Sequence, residues 1–219
     1  MNTNTNTNTN TNTNTNLIME FKLVILGEGG VGKTSFVQRH ISGEFVKKYE
    51  PTHGADVSTV SFSTNKGDIH FKCWDVAGQN EFTGFQDGYY IKADCAIIMF
   101  DVSSRLSYKQ IPIWYKNLIR VSPNVKVVIC ANKVDLRTRQ VKAKDVVFHR
   151  KHNLQYYEMS TKSSENYEKP FEYLAKSLLK DNNVHFTKTI AKTPPNVKGI
   201  RKTFNKEVFE KALNTPLPE

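Results

Sequence analysis

The chain has 219 residues with a hydrophobic share of 38% and a charged share of 24%, enough for one domain of about 150–200 residues with tails. It carries a net charge of +10 and a pI near 9.4, a surplus that favours acidic partners but fixes no fold. No apolar run approaches the ~20 residues of a membrane span, and the start lacks a signal-peptide pattern. The three cysteines, Cys73, Cys95 and Cys130, are scattered in apolar runs without metal-ligand spacing, so reduced structural thiols in a reducing compartment are expected.

In chain order, residues 1–19 form the first region, dominated by an Asn-Thr alternation from Asn2 to Asn16. With nothing apolar to bury, it is expected to stay disordered. Residues 20–181 are expected to form the folded domain. Strands are predicted at 22–26, 55–64, 69–75, 95–101, 125–131 and 154–159, and helices at 33–41, 104–121, 143–152 and 165–180. This alternation predicts an α/β fold with helices on both faces of a sheet. The turn Asn65-Lys66-Gly67 between two of the strands predicts a hairpin, hence a six-stranded mixed sheet with one antiparallel strand. Residues 182–219 read as a lysine-rich linker, broken at Pro194-Pro195, with an amphipathic helix predicted at 204–213. Apolar docking of that helix through Phe204, Val208, Phe209 and Leu213 is expected.

Gly27-Glu28-Gly29-Gly30-Val31-Gly32-Lys33-Thr34 follows the first strand and opens a helix, the context of a P-loop. Its glycines let backbone N–H groups form an anion nest at a helix N-terminus. Lys33 is expected at the β- and γ-phosphates and the Thr34 hydroxyl on Mg²⁺. Glu28, Gly29, Gly30, Val31, Gly32, Lys33, Thr34 and Ser35 form the expected phosphate-binding set. Asn132-Lys133-Val134-Asp135 follows the strand at 125–131. The Asp135 carboxylate can accept from guanine N1–H and the exocyclic amine, which adenine cannot offer there. Ser160-Thr161-Lys162 after the last strand is expected to complete the base pocket. Asp75, in Asp75-Val76-Ala77-Gly78, is expected to reach magnesium through water, and the Gly78 N–H the γ-phosphate. Gln79 is expected to orient the attacking water and Thr52 to supply a second hydroxyl to the metal.

These motifs resemble the small GTPases, and within them the Ran type. The Ran-like residues are Gln38-Arg39-His40, Gly43-Glu44-Phe45, Lys47-Lys48-Tyr49, Asp87-Gly88-Tyr89-Tyr90-Ile91, Cys95–Asp101, Val141-Lys142-Ala143-Lys144, Val147–Lys151 with Asn153-Leu154-Gln155-Tyr156-Tyr157, and Lys169-Pro170-Phe171. The resemblance covers residues 22–181. It implies a P-loop small-GTPase domain that binds GTP or GDP with Mg²⁺ and acts as a nucleocytoplasmic transport switch. It further implies a monomer, without lipid, shared between nucleus and cytoplasm and cycling among import and export carriers, an exchange factor and a GTPase-activating protein. Phe45 is implied to pack near the base and Tyr49 to assist Gln79 in stimulated hydrolysis. Direct nucleic-acid binding and membrane attachment are not expected. Val76, His53, Asn80-Glu81 and Gln86 depart from the type's usual residues, and residues 182–219 are lysine-rich and hold no acidic run like the one usual in the type.

Overall fold

The computed structural model describes residues 18–47, 50–78 and 87–188. The Asn-Thr tract, Tyr49, Gln79 and the helix expected at 204–213 lie outside the described residues.

The strands are β1 (Ile18–Leu26), β2 (Ala55–Thr64), β3 (Gly67–Val76), β4 (Cys95–Asp101), β5 (Lys126–Asn132), β6 (Gln155–Glu158) and β7 (Phe186–Lys188). They form one sheet in the order β6-β5-β4-β1-β3-β2-β7. β1 pairs in parallel with both β3 and β4, and β4-β5 and β5-β6 are also parallel. β2 runs antiparallel to β3, and β7 antiparallel to β2. β2 is therefore still the one strand set against the rest, although the described sheet has seven strands where six were expected. The extra strand is three residues long and has no apolar alternation to announce it.

Apolar residues in the inner strands point alternately to two cores, as the period of two requires. Leu23, Ile25, Ile97, Met99, Val128 and Cys130 face one side with Phe36 and Phe171. Val24, Leu26, Ile98, Phe100, Ile129 and Ala131 face the other with Tyr90, Trp114 and Leu118. The first core is covered by α1 (Lys33–Ser42) and α6 (Lys169–Leu179). The second is covered by α2 (Asp87–Tyr90), α3 (Arg105–Lys109), α4 (Ile111–Val121) and, at its margin, α5 (Phe148–Lys151). All three cysteines are buried here as free thiols, which burial pushes well above their usual pKa.

Several elements are shorter than their patterns predict, for local reasons. The helix expected at 104–121 breaks at Gln110 because Pro112 has no N–H to continue the ladder. The stretch expected to be helical at 143–152 is one 3-10 turn, Ala143–Asp145, followed by α5. α6 begins only at Lys169, with Pro170 in its first turn, after Ser164 and Asn166 adopt left-handed backbone.

The hairpin closes tightly at Asn65-Lys66, with Thr64 paired to Gly67 at φ 118°. The Asn65 amide donates to Asn183 O at 3.1 Å and Lys66 pairs with Asp181 at 2.9 Å. Val184 is fully buried in the first core. Among the described residues, sheet pairing thus runs from Ile18 in β1 to Lys188 in β7.

Candidate functional site

The site lies where β1, β3, β4, β5 and β6 end, the edge at which open α/β sheets take ligands. After β1 the chain turns sharply. A Cβ on Gly27 would sit 2.2 Å from Met99 O, so only glycine lets β1 leave past β4. Gly30 and Gly32 take φ 74° and 102°, the left-handed turns that aim successive N–H groups inward. Lys33 opens α1, and its Nζ donates to Gly27 O at 2.8 Å and Glu28 O at 3.0 Å. The ammonium is thereby held across the base of the loop. Burial lowers its pKa to about 8, against the opposing pull of Asp75 and Glu28. A doubly charged anion in the loop would relieve that burial cost. Glu28 is half-buried and turns its carboxylate to the Gly29 N–H at 3.1 Å.

Beside Lys33, three oxygen-bearing side chains from distant segments converge. Thr34 Oγ1 donates to Asp75 Oδ2 at 2.5 Å and lies 3.0 Å from Thr52 Oγ1. Asp75 is 3% exposed, and its Oδ1 has no hydrogen-bond partner among the described residues. Burial raises the Asp75 pKa, opposed by its bonds to Thr34 and its attraction to Lys33. A buried carboxylate oxygen without a partner is costly, and an all-oxygen set suits a hard divalent cation. The residues present fit Mg²⁺. Gly78 closes this side, since a Cβ on it would lie 2.3 Å from Gly29 N. Ser35 is half-buried in the first turn of α1.

The base side is built from the ends of β5 and β6. Asn132 is 1% exposed, donates to Val31 O at 2.9 Å and accepts from Thr161 N–H at 3.0 Å and Thr161 Oγ1 at 3.2 Å. Lys133, held at φ 66°, donates to Gly30 O and pairs with Asp101, both at 2.7 Å. Those two contacts fix an otherwise disfavoured backbone conformation. Ser160, fully buried, donates to Asp135 Oδ1 at 2.6 Å, while Lys162 Nζ stands 3.9 Å from Oδ2. The Asp135 side chain is 18% exposed, so its carboxylate is oriented from one side and reachable from the other.

Apart from Phe45, Gln79 and Tyr49, the residues expected at the phosphates and metal lie together, as do those expected at the base, and the two groups are joined through Val31 and Gly30. Phe45 follows the Gly43 cap of α1 and is half-buried, outside both hydrogen-bonded groups. Gln79 and Tyr49 lie outside the described residues. Two residues without a role in the motifs also belong here. Asp101 closes β4 in register with Asn132 and pairs with Lys133. Arg39, from α1, reaches the carbonyl of Lys162. An acidic residue ending a fully apolar strand was a readable signal for the first; a single helical arginine offered none for the second.

The family model described as Ras family matches residues 22–180, from the body of β1 through α6 and every site residue above. Small GTPases of this kind bind guanine nucleotides with Mg²⁺ and hydrolyse GTP. The chain belongs to the Ras family of small GTPases.

Proposed function

We propose that this chain is a Mg²⁺-dependent, slowly hydrolysing guanine-nucleotide switch of nucleocytoplasmic transport. The observation that carries the guanine reading is the Asp135 carboxylate, held by Ser160 at 2.6 Å on a loop that Asn132 ties back to the P-loop. A carboxylate so oriented can accept two hydrogen bonds from guanine, and a base lacking those donors would leave it unpaired.

Glu28 to Ser35 would hold the phosphates, with Lys33 neutralising charge on their β and γ groups. Thr34 and Thr52 would hold Mg²⁺ directly and Asp75 through water. When bound, the metal supplies further charge neutralisation at the phosphate oxygens. The Gly78 N–H would meet the γ-phosphate, Gln79 would align the water, and Tyr49 would assist Gln79 when an activating protein is engaged. Water attacks directly, without a covalent intermediate. No internal arginine finger is marked in the sequence, so unassisted turnover of about 10⁻⁴–10⁻³ per second is expected by analogy with GTPases that lack one.

The transport reading rests on the Ran-like residues, from Gln38-Arg39-His40 to Lys169-Pro170-Phe171. It brings import and export carriers, an exchange factor and an activating protein as partners, and distribution between nucleus and cytoplasm. Among the described residues no helix is long and apolar enough to cross a membrane. Capture of partners by GTP-loaded and GDP-loaded protein, identified by mass spectrometry, tests this. Transport carriers enriched on one nucleotide form support it; membrane-trafficking effectors in their place refute it.

A further inference from the structure

Arg39 lies in the last turn of α1, the helix whose first turn carries Lys33 and Thr34. Its Nη1 donates to Lys162 O at 2.8 Å and its Nη2 to Ser164 Oγ at 2.5 Å. The guanidinium also stands 5.9 Å from the centre of the Tyr167 ring. Residues 39 and 164 are 125 positions apart, so the fork closes a long chain segment onto the helix. The segment it grips is strained: Ser164 and Asn166 have φ 65° and 54°, which side-chain-bearing residues rarely adopt without outside support.

That segment leads directly from Ser160, Thr161 and Lys162. Its beginning is anchored by Asn132, which accepts from the Thr161 N–H. Its far end is anchored by Arg39. Ser160, between β6 and this far anchor, is the residue that orients Asp135. One rigid helix therefore serves the phosphate side at its start and braces the base side at its end.

We infer that Arg39 is a positioning residue for guanine recognition, acting through the 160–164 loop on Asp135 and setting how long the base stays seated. This rests on the reading that the site binds a guanine nucleotide. The planar guanidinium meets the two acceptors with two separate nitrogens held in one fixed fork, whereas a lysine ammonium is a single point on a flexible stem and would hold the pair less rigidly.

The test uses the full chain with GDP and inosine diphosphate, which lacks the exocyclic amine that Asp135 would accept. Release rates and affinities are measured for the wild type, Arg39→Ala, Arg39→Lys and Ser164→Ala. Removing both charge-assisted bonds is expected to speed GDP release about tenfold and to shrink the preference for GDP over inosine diphosphate in proportion. Arg39→Lys should recover part of the loss, and Ser164→Ala should show a smaller loss of the same kind. Should Arg39→Ala fail to fold, Ser164→Ala and Arg39→Lys carry the comparison. Equal weakening of both nucleotides would overturn the inference, because a loosened helix α1 harms phosphate binding without regard to the base. Unchanged release in all three variants would overturn it as well. A wild type with no preference for GDP over inosine diphosphate would instead remove the guanine reading beneath it.

Discussion

The Asn132 amide nitrogen donates to the Val31 carbonyl at 2.9 Å, joining the end of β5 to the P-loop across 101 residues of sequence. The same side chain's oxygen takes the Thr161 N–H, so one buried amide fastens three loops. Only a group with both a donor and an acceptor can do this. The fit is close, since a Cβ on Gly32 would fall 2.6 Å from that nitrogen.

Asn132→Ala leaves a buried carbonyl and a buried N–H unpaired and is expected to cost about 2–4 kcal/mol of stability. Asn132→Asp keeps the acceptor but turns a charge toward the Val31 carbonyl, so it should be no better. Urea unfolding of both variants checks this, and wild-type midpoints would rule out the bridging role.

Gln79 is assigned to the water and not to the nucleotide. Gln79→Leu should abolish hydrolysis stimulated by an activating protein while leaving GTP affinity within about threefold. Single-turnover assays with and without the activating protein decide it. Stimulated rates equal to those of the wild type would sink the assignment.

Thr34 touches both Asp75 and Thr52, the oxygens expected around the metal. Chelation with EDTA should accelerate nucleotide release from the wild type. Thr34→Asn should release nucleotide quickly already, favour the GDP or empty form, and respond little to EDTA. A full EDTA response in Thr34→Asn would mean that the metal sits elsewhere.

His40 gives the fold an acid-sensitive point. Burial lowers its pKa from 6.5 to about 4, only partly offset by its bond to the Phe36 carbonyl at 2.8 Å. Its Nε2 is buried among Phe36, Phe62, Tyr167 and Phe171. The unfolded chain takes up the proton at higher pH than the folded one. Stability from this residue is therefore fully present above pH 6.5 and lost as pH falls toward 4. Between pH 7 and pH 5 the loss should be about 2 kcal/mol, and His40→Leu should lack that component of the slope. Parallel slopes in the two proteins would show that other groups carry the acid sensitivity.

The strands were legible wherever apolar residues ran unbroken, as in β4 and β5, because burial on both faces leaves a continuous signature. Helix ends were not, since Pro112 and Pro170 act on hydrogen bonds that hydrophobic periodicity does not register. β7 was invisible for another reason: its pairing partners are Ser63 and Thr64 of β2, more than 100 residues earlier. In the site, the P-loop glycines and Asp135 were readable because their spacing is local. The bonds of Arg39, Asp101 and Asn132 depend on which strands become neighbours, and sheet order is not written in any one segment.

Base selectivity is the most direct test. Asp135 is oriented by the Ser160 hydroxyl and offers acceptors alone, so Asp135→Asn exchanges an acceptor for a donor at the edge of the base. Wild type and variant should be titrated side by side with GTP, ATP and xanthosine triphosphate, whose 2-oxo group suits a donor. The wild type should prefer GTP strongly over ATP, and the variant should shift its preference to the xanthine nucleotide. A wild type that binds ATP as tightly as GTP, or a variant that keeps its guanine preference, would show that Asp135 does not read the base.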